Sequence, residues 1–298
     1  MIVTLRFGVT TAMALAFGGA LRPLLASRSP GGWPDPRWPV VLPSSVALVL
    51  SLLSLLWLTA TMAGAPAFPV DGAMLSIVVG ETALGTSFLV RFAALAATIV
   101  IAISGGTVAG ARRGPLVATS GVALATLAWT GHAVADDGIR GWLHLVADIV
   151  HLLAAGAWIG AIAVLLSLIP GRSSGGQRSP ALRPALASFA TTGTILVASV
   201  VVTGVINGWA ILGRDGLGRS LQTMYGVLLA CKILLFVLML VIASANRWVL
   251  TPWLAEATKT GDTECATAWL RVSLRAELLC ACAIIALVAW LGTLAPTG

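Results

Sequence analysis

The strongest chemical signal in this sequence lies within two turns of one apolar stretch. His144, Asp148 and His151 stand at i, i+4 and i+7 in Gly141-Trp-Leu-His-Leu-Val-Ala-Asp-Ile-Val-His151, so a helix places all three on one face. Imidazole nitrogens suit a transition metal, and a carboxylate between two rings either ligates the ion or orients a ring from behind. The same set also serves as a proton relay. His132 comes shortly before, so all three histidines of the chain fall within 20 residues. A lone histidine here would read as a packing residue with a satisfied hydrogen bond; the cluster reads as a site. Met62, Met74 and Met224 add thioethers, which favour soft Cu(I), although methionine more commonly fills space. Arg91, Lys232 and Glu277 are charges embedded in apolar runs, where each is expensive unless paired or used. Ion pairing is their plain role and gating the alternative.

These residues need elements to position them, and composition says which. Of 298 residues 58% are hydrophobic and 10% charged, whereas a soluble domain carries about 25% charged residues. Apolar runs of the roughly 20 residues needed to cross a bilayer recur along the whole chain. Without water each run must be helical to satisfy its own backbone. Alternating ten-residue segments, the mark of a membrane barrel, are absent. The expected fold is an all-α integral membrane protein with about eight transmembrane helices, near 4–21, 40–61, 86–106, 115–131, 141–169, 185–206, 223–243 and 271–294, forming one transmembrane domain over 1–298 whose solvent is the lipid bilayer.

The net charge of +7 comes from 18 basic residues scattered through short connections, which argues for topology signals and against nucleic-acid binding. Connections 1–2, 3–4, 5–6 and 7–8 are basic, through Arg28, Arg112, Arg178 and Lys259 among others. The alternate connections are poorer in base: 2–3 has Asp71 and Glu81 and no base, and 4–5 sets Arg140 alone against Asp136 and Asp137; retention of basic loops in the cytoplasm then predicts both termini outside. No nucleotide-binding motif occurs. Cys231, Cys265, Cys280 and Cys282 show no CxxC spacing and read as packing residues.

An internal similarity suggests duplication. Thr82-x-x-Gly85-x5-Arg91 matches Thr223-x-x-Gly226-x5-Lys232 at an offset of 141 residues, and the same offset sets Phe17-Gly18-Gly19 against Trp158-Ile159-Gly160. Two parallel four-helix repeats are expected, 1–140 and 141–298, related about an axis along the membrane normal. Only the second carries His144 and His151.

Several motifs together resemble the bacterial copper resistance protein D (CopD) family. They are Thr203-Gly204-x2-Asn207, Thr223-x-Tyr225-Gly226-x5-Lys232, Asn246-Arg247-x4-Pro252, Leu270-Arg271, Glu277 and Ala295-Pro296. His151-x6-Trp158-x-Gly160, Thr82/Gly85/Arg91 and Gly131-His132-Ala133 add to the set. The likeness runs from the third expected helix to the end. It implies an eight-helix protein of the bacterial inner membrane that takes copper from the periplasm inward, with a CopC-like periplasmic carrier as donor. Carried over by position, His132, His144 and His151 would be copper ligands, for Cu(I) or Cu(II), and Lys232, Asn246, Arg247 and Glu277 pattern residues without an assigned role. Two other functions fit the residues. One is a redox protein holding b-type haem between His132 and His151. The other is a factor that delivers copper to an oxidase during assembly without transporting it. Nothing points to a hydrolytic enzyme.

Overall fold

Apolar length sets the architecture. In a computed structural model, which describes residues 1–26, 37–64, 66, 70–104, 112–130, 138–169, 182–212, 223–260 and 263–295, the chain is helical and the described residues contain no strand. The helices are α1 (Ile2–Ala26), α2 (Trp38–Ala63), α3 (Gly72–Glu81), α4 (Ala83–Ile103), α5 (Arg113–Ala125), α6 (Gly138–Leu168), α7 (Leu182–Leu212), α8 (Met224–Ala245), α9 (Thr251–Thr260) and α10 (Glu264–Leu291). Seven of the helical stretches are long and apolar enough to cross a membrane, with α8 and α9 counted as one. The expected helix at 115–131 differs from the others. It is the 13-residue α5 followed by a 3₁₀ segment, Thr126–Thr130.

Two short helices were not expected from the sequence. α3 lies in the connection after α2, and α9 extends α8 through a π-helical turn, Asn246–Leu250. Neither shows as a membrane run, because α3 is only ten residues long and α9 carries Glu256 and Lys259.

The helix starts follow local chemistry. Asp71 accepts from the N–H groups of Ala73 and Met74, both at 3.0 Å, and so caps α3. Thr82 donates to Val78 O at 2.6 Å and accepts from Gly85 N at 2.9 Å, closing α3 and opening α4 with one hydroxyl. Thr223 caps α8 in the same manner, accepting from Gly226 N at 3.3 Å. Such caps satisfy N–H groups that the helix itself leaves without acceptors. Gly85 has to be glycine: a Cβ there would stand 2.0 Å from Val78 O.

α1 packs on α2, α2 on α4, α4 on α5, and α5 back on α1, a closed ring of four. In the second half α6 packs on α7, α8 on α10, and α10 on α6. Among the described residues, α7 and α8 share no comparable seam, so this ring has an open side. The halves meet along α1 and α6, whose backbones touch at Gly18 and Gly160; a Cβ on either would lie 2.1 Å from the other's Cα. Small residues permit this approach in membrane helices, where packing replaces the hydrophobic drive. Both termini lie at one end of the bundle, where Arg6 donates to Gly292 O.

Candidate metal-handling site

α6 begins at that end, and its apolar face explains where its polar residues go. Trp158, Ile162, Leu165 and Leu168 bury themselves in the main core, Trp158 edge-on to Phe236 of α8 with ring centroids 6.1 Å apart. About two to four turns earlier the same helix carries His151, Asp148 and His144, the first two facing α7. His144 is buried, at 4% exposed; Asp148 and His151 are half-buried.

α7 runs antiparallel to α6, so one turn back along α6 is one turn forward along α7. Thr203 therefore meets His151, and Asn207 meets Asp148. His151 Nδ1 lies 3.0 Å from Thr203 Oγ1, and Asn207 Nδ2 donates to Asp148 Oδ1 at 3.2 Å. The His151 ring lies over Gly204, whose absent Cβ would be 3.5 Å from Cε1. Thr203 donates its one hydroxyl proton to Ser199 O at 2.5 Å. With its proton placed there it accepts from His151 Nδ1–H, the tautomer that keeps the lone pair on Nε2. A ring held this way by its far nitrogen is oriented as metal-ligating histidines are. From α8, Lys232 acts electrostatically on both Asp148 and His151, and His144 acts on Asp148.

The arrangement is a ladder and not a cage. Seven residues of helix separate His144 from His151 by about 10 Å of rise. Among the described residues no three His, Cys, Asp or Glu side chains gather closely enough to hold one ion. His132 lies outside the described residues, and with it the pairing of His132 and His151 around a haem. The methionines do not converge on the ladder either. Met74 packs with Leu55, Val78 and Phe88 between α2, α3 and α4, while Met62 and Met224 are exposed at the ends of α2 and α8.

Arg91 has a different partner from the carboxylates expected for it. Its Nε donates to Thr126 Oγ1 at 2.9 Å and its Nη2 to Thr126 O at 3.2 Å, with Phe88 stacked 4.6 Å away. It secures the start of the 3₁₀ segment. Asn246, Arg247 and Glu277 lie farther from the termini, where α8 passes into its π-turn and meets the middle of α10. Asn246 Nδ2 donates to Glu277 Oε1 and Arg247 to Thr194 Oγ1.

Thr203 and Asn207 were not assigned to the site from sequence, though both stand in the motif Thr203-Gly204-x2-Asn207. Their i, i+4 spacing puts both on one face of α7, as the i, i+3 spacing does for Asp148 and His151 on α6, which is the signal that would have found them. Thr126 gave none, since a threonine in an apolar run is ordinary.

Comparison with known proteins follows this geometry. Residues 1–142 match the family described as copper resistance protein D-like, N-terminal domain, and residues 183–291 match copper resistance protein D. The chain is 36% identical to a copper resistance protein D of Pseudomonas syringae pv. tomato, over 99% of this chain and 96% of that one. It is 32% identical to inner membrane protein YebZ of Escherichia coli over 57% of this chain and 55% of that one. It is 30% identical to copper transport protein CutJ of Bacillus subtilis over 56% of this chain and 30% of that one. No solved structure matches. With both halves matched and the similarity extending over nearly its full length, the chain belongs to the copper resistance protein D family.

Proposed function

We propose that this protein carries copper ions across the bacterial inner membrane, from the periplasm toward the cytoplasm, by passing them along His144, Asp148 and His151. The observation that carries this reading is the fixed His151 ring, with Nδ1–H bound to Thr203 and Nε2 left as a ligand. Copper is the cargo, and a ladder of donors with few ligands each suits a cargo that must move on. A three-donor cage would hold it. His132 and the exposed Met62 and Met224 would serve as first contacts at the entrance, receiving the ion from a CopC-like periplasmic carrier.

Charge supports the direction. Arg22, Arg37, Arg112, Arg113, Arg183, Arg247, Lys259, Arg271 and Arg275 fall toward the end of the bundle away from the termini, whereas among the described basic residues Arg6 and Arg140 lie at the other end and Arg91 and Lys232 within the helices on that side. By retention of basic residues in the cytoplasm, both termini and the entrance of the ladder face the periplasm. The matched caps of α4 and α8 and the contact of α1 with α6 support a duplicated four-plus-four design. Within it, Arg91 and Lys232 hold equivalent places with different duties.

The test is copper flux into proteoliposomes beside copper binding by calorimetry. Wild type should bind and transport, and His144→Ala and His151→Ala should lose at least tenfold in both, the order expected for losing a ligand. Binding unchanged in both variants would overturn the site. Binding without flux in wild type would favour the delivery role.

A further inference from the structure

Glu277 and Asn246 take no part in the ladder, yet they are among the most enclosed polar residues in the molecule, at 2% and 8% exposed. They belong to different helical stretches and meet through one hydrogen bond, from Asn246 Nδ2 to Glu277 Oε1. Among the described residues that amide is the one polar partner recorded for the carboxylate. Asn246 Oδ1 is buried as well and accepts no hydrogen bond. The place thus holds acceptor oxygens in excess of donors, enclosed on an apolar helix face between Leu274 and Ala281.

The backbone singles out the same place. Asn246 opens the π-helical turn, and Thr251 N–H reaches back to its carbonyl. A π-turn departs from regular α-helix bonding and is frequent at functional sites. Here it turns Asn246 inward while its neighbour Arg247 is exposed.

A buried carboxylate with a single neutral hydrogen bond lacks a counter-charge. The charged groups on the surrounding elements do not supply one. Arg247 bonds Thr194 and stacks on Trp248, and Lys259 pairs with Glu256 at 2.7 Å. Arg275 is exposed. Arg22 of α1 forms no ion pair with Glu277 among the described residues, and Arg271 of α10, half-buried, has an interaction of its own. Carboxylate and amide oxygens are hard donors, unlike the imidazoles of the ladder, and they select hard cations over Cu(I).

We propose that Glu277 and Asn246 form a second cation site, distinct from the copper ladder, that takes a small hard monovalent cation, a sodium ion or a proton. About 21 Å of α8, from Lys232 to Asn246, separates it from the ladder. A transporter with one site for its cargo and another for a common ion has the parts needed to couple the two. That use rests on the copper-transport reading, but the binding does not.

The experiment therefore measures binding directly, on the purified full-length protein in lipid nanodiscs, without copper. One arm is equilibrium binding of radioactive sodium; the other is infrared difference spectroscopy of carboxyl groups between acidic and alkaline buffer. Glu277→Gln is compared with wild type and with Glu256→Gln, a surface control. If sodium is the ion, wild type binds it saturably and Glu277→Gln weakens binding by about tenfold or more, while Glu256→Gln does not. If the proton is the ion, sodium does not bind, and a titrating carboxyl band disappears in Glu277→Gln alone. Absence of both signals in folded wild type overturns the proposal and leaves the pair a packing clamp. Should Glu277→Gln fail to fold, Asn246→Ser keeps the carboxylate: a shifted sodium affinity or band position supports the site, and no shift overturns it. Copper binding measured on the same samples reports separately on the ladder.

Discussion

The His151 ring is more constrained than its sequence suggests. Thr203 supplies one oxygen that donates to Ser199 O and accepts from His151, so the threonine sets which nitrogen faces the ladder. Removing the hydroxyl without changing shape should release the ring. Thr203→Val is expected to weaken copper binding about tenfold to a hundredfold, Thr203→Ser to restore most of it, and calorimetry on the two variants checks both. Arg91 does the opposite kind of work, holding structure and not ligand. Arg91→Met leaves the Thr126 carbonyl buried without its donor and should lower unfolding stability by about 2 kcal/mol, seen as a lower melting temperature with copper affinity unchanged. At this scale the sequence was informative where residue types are rare. Three histidines and an aspartate in an apolar chain stand out. Thr126 does not, because threonines in membrane helices mostly bond their own backbone, as Thr59 and Thr98 do here. The i, i+7 spacing already carried the roughly 10 Å of rise between His144 and His151; what it did not carry was which α7 side chains meet Asp148 and His151.

Among the elements, long apolar helices were legible and the irregular ones were not. The runs near 40–61 and 86–106 correspond to α2 and α4 within a few residues. α3 was hidden by its brevity, and α9 by its charges. The change from α-helix to 3₁₀ at Thr126 depends on a guanidinium thirty-five residues away in the chain, a tertiary cause that no local pattern carries. Glycine pairs are a similar case. Gly18 and Gly160 looked like repeat marks, and they are also the place where α1 and α6 touch. A side chain there has nowhere to go, since what it meets is backbone. Gly160→Leu should destabilise the protein by at least about 1–3 kcal/mol, while Gly208→Ala, which meets nothing within 4 Å, should leave melting unchanged.

For the whole molecule, basic residues gather toward one end of most helices, and that asymmetry is what sets the expected orientation. Both termini are expected in the periplasm. Alkaline phosphatase fused to either terminus should be active, and fused after Lys259 inactive; the reverse pattern would invert the direction proposed for copper. What composition and spacing do not convey is how the two halves differ in closure, since that depends on how far apart α7 and α8 stand. A ring of four helices closed on all sides resists shear in every direction. One with a missing seam has a single soft mode, the hinging of its two free walls. It follows that the closed half is the stiffer and the open half the more compliant, with His144, Asp148 and His151 standing beside the gap among the described residues. Whatever fills that side in the bilayer, lipid tails or a partner's helix, becomes part of the wall, so the stiffness of the second half is set partly from outside the chain.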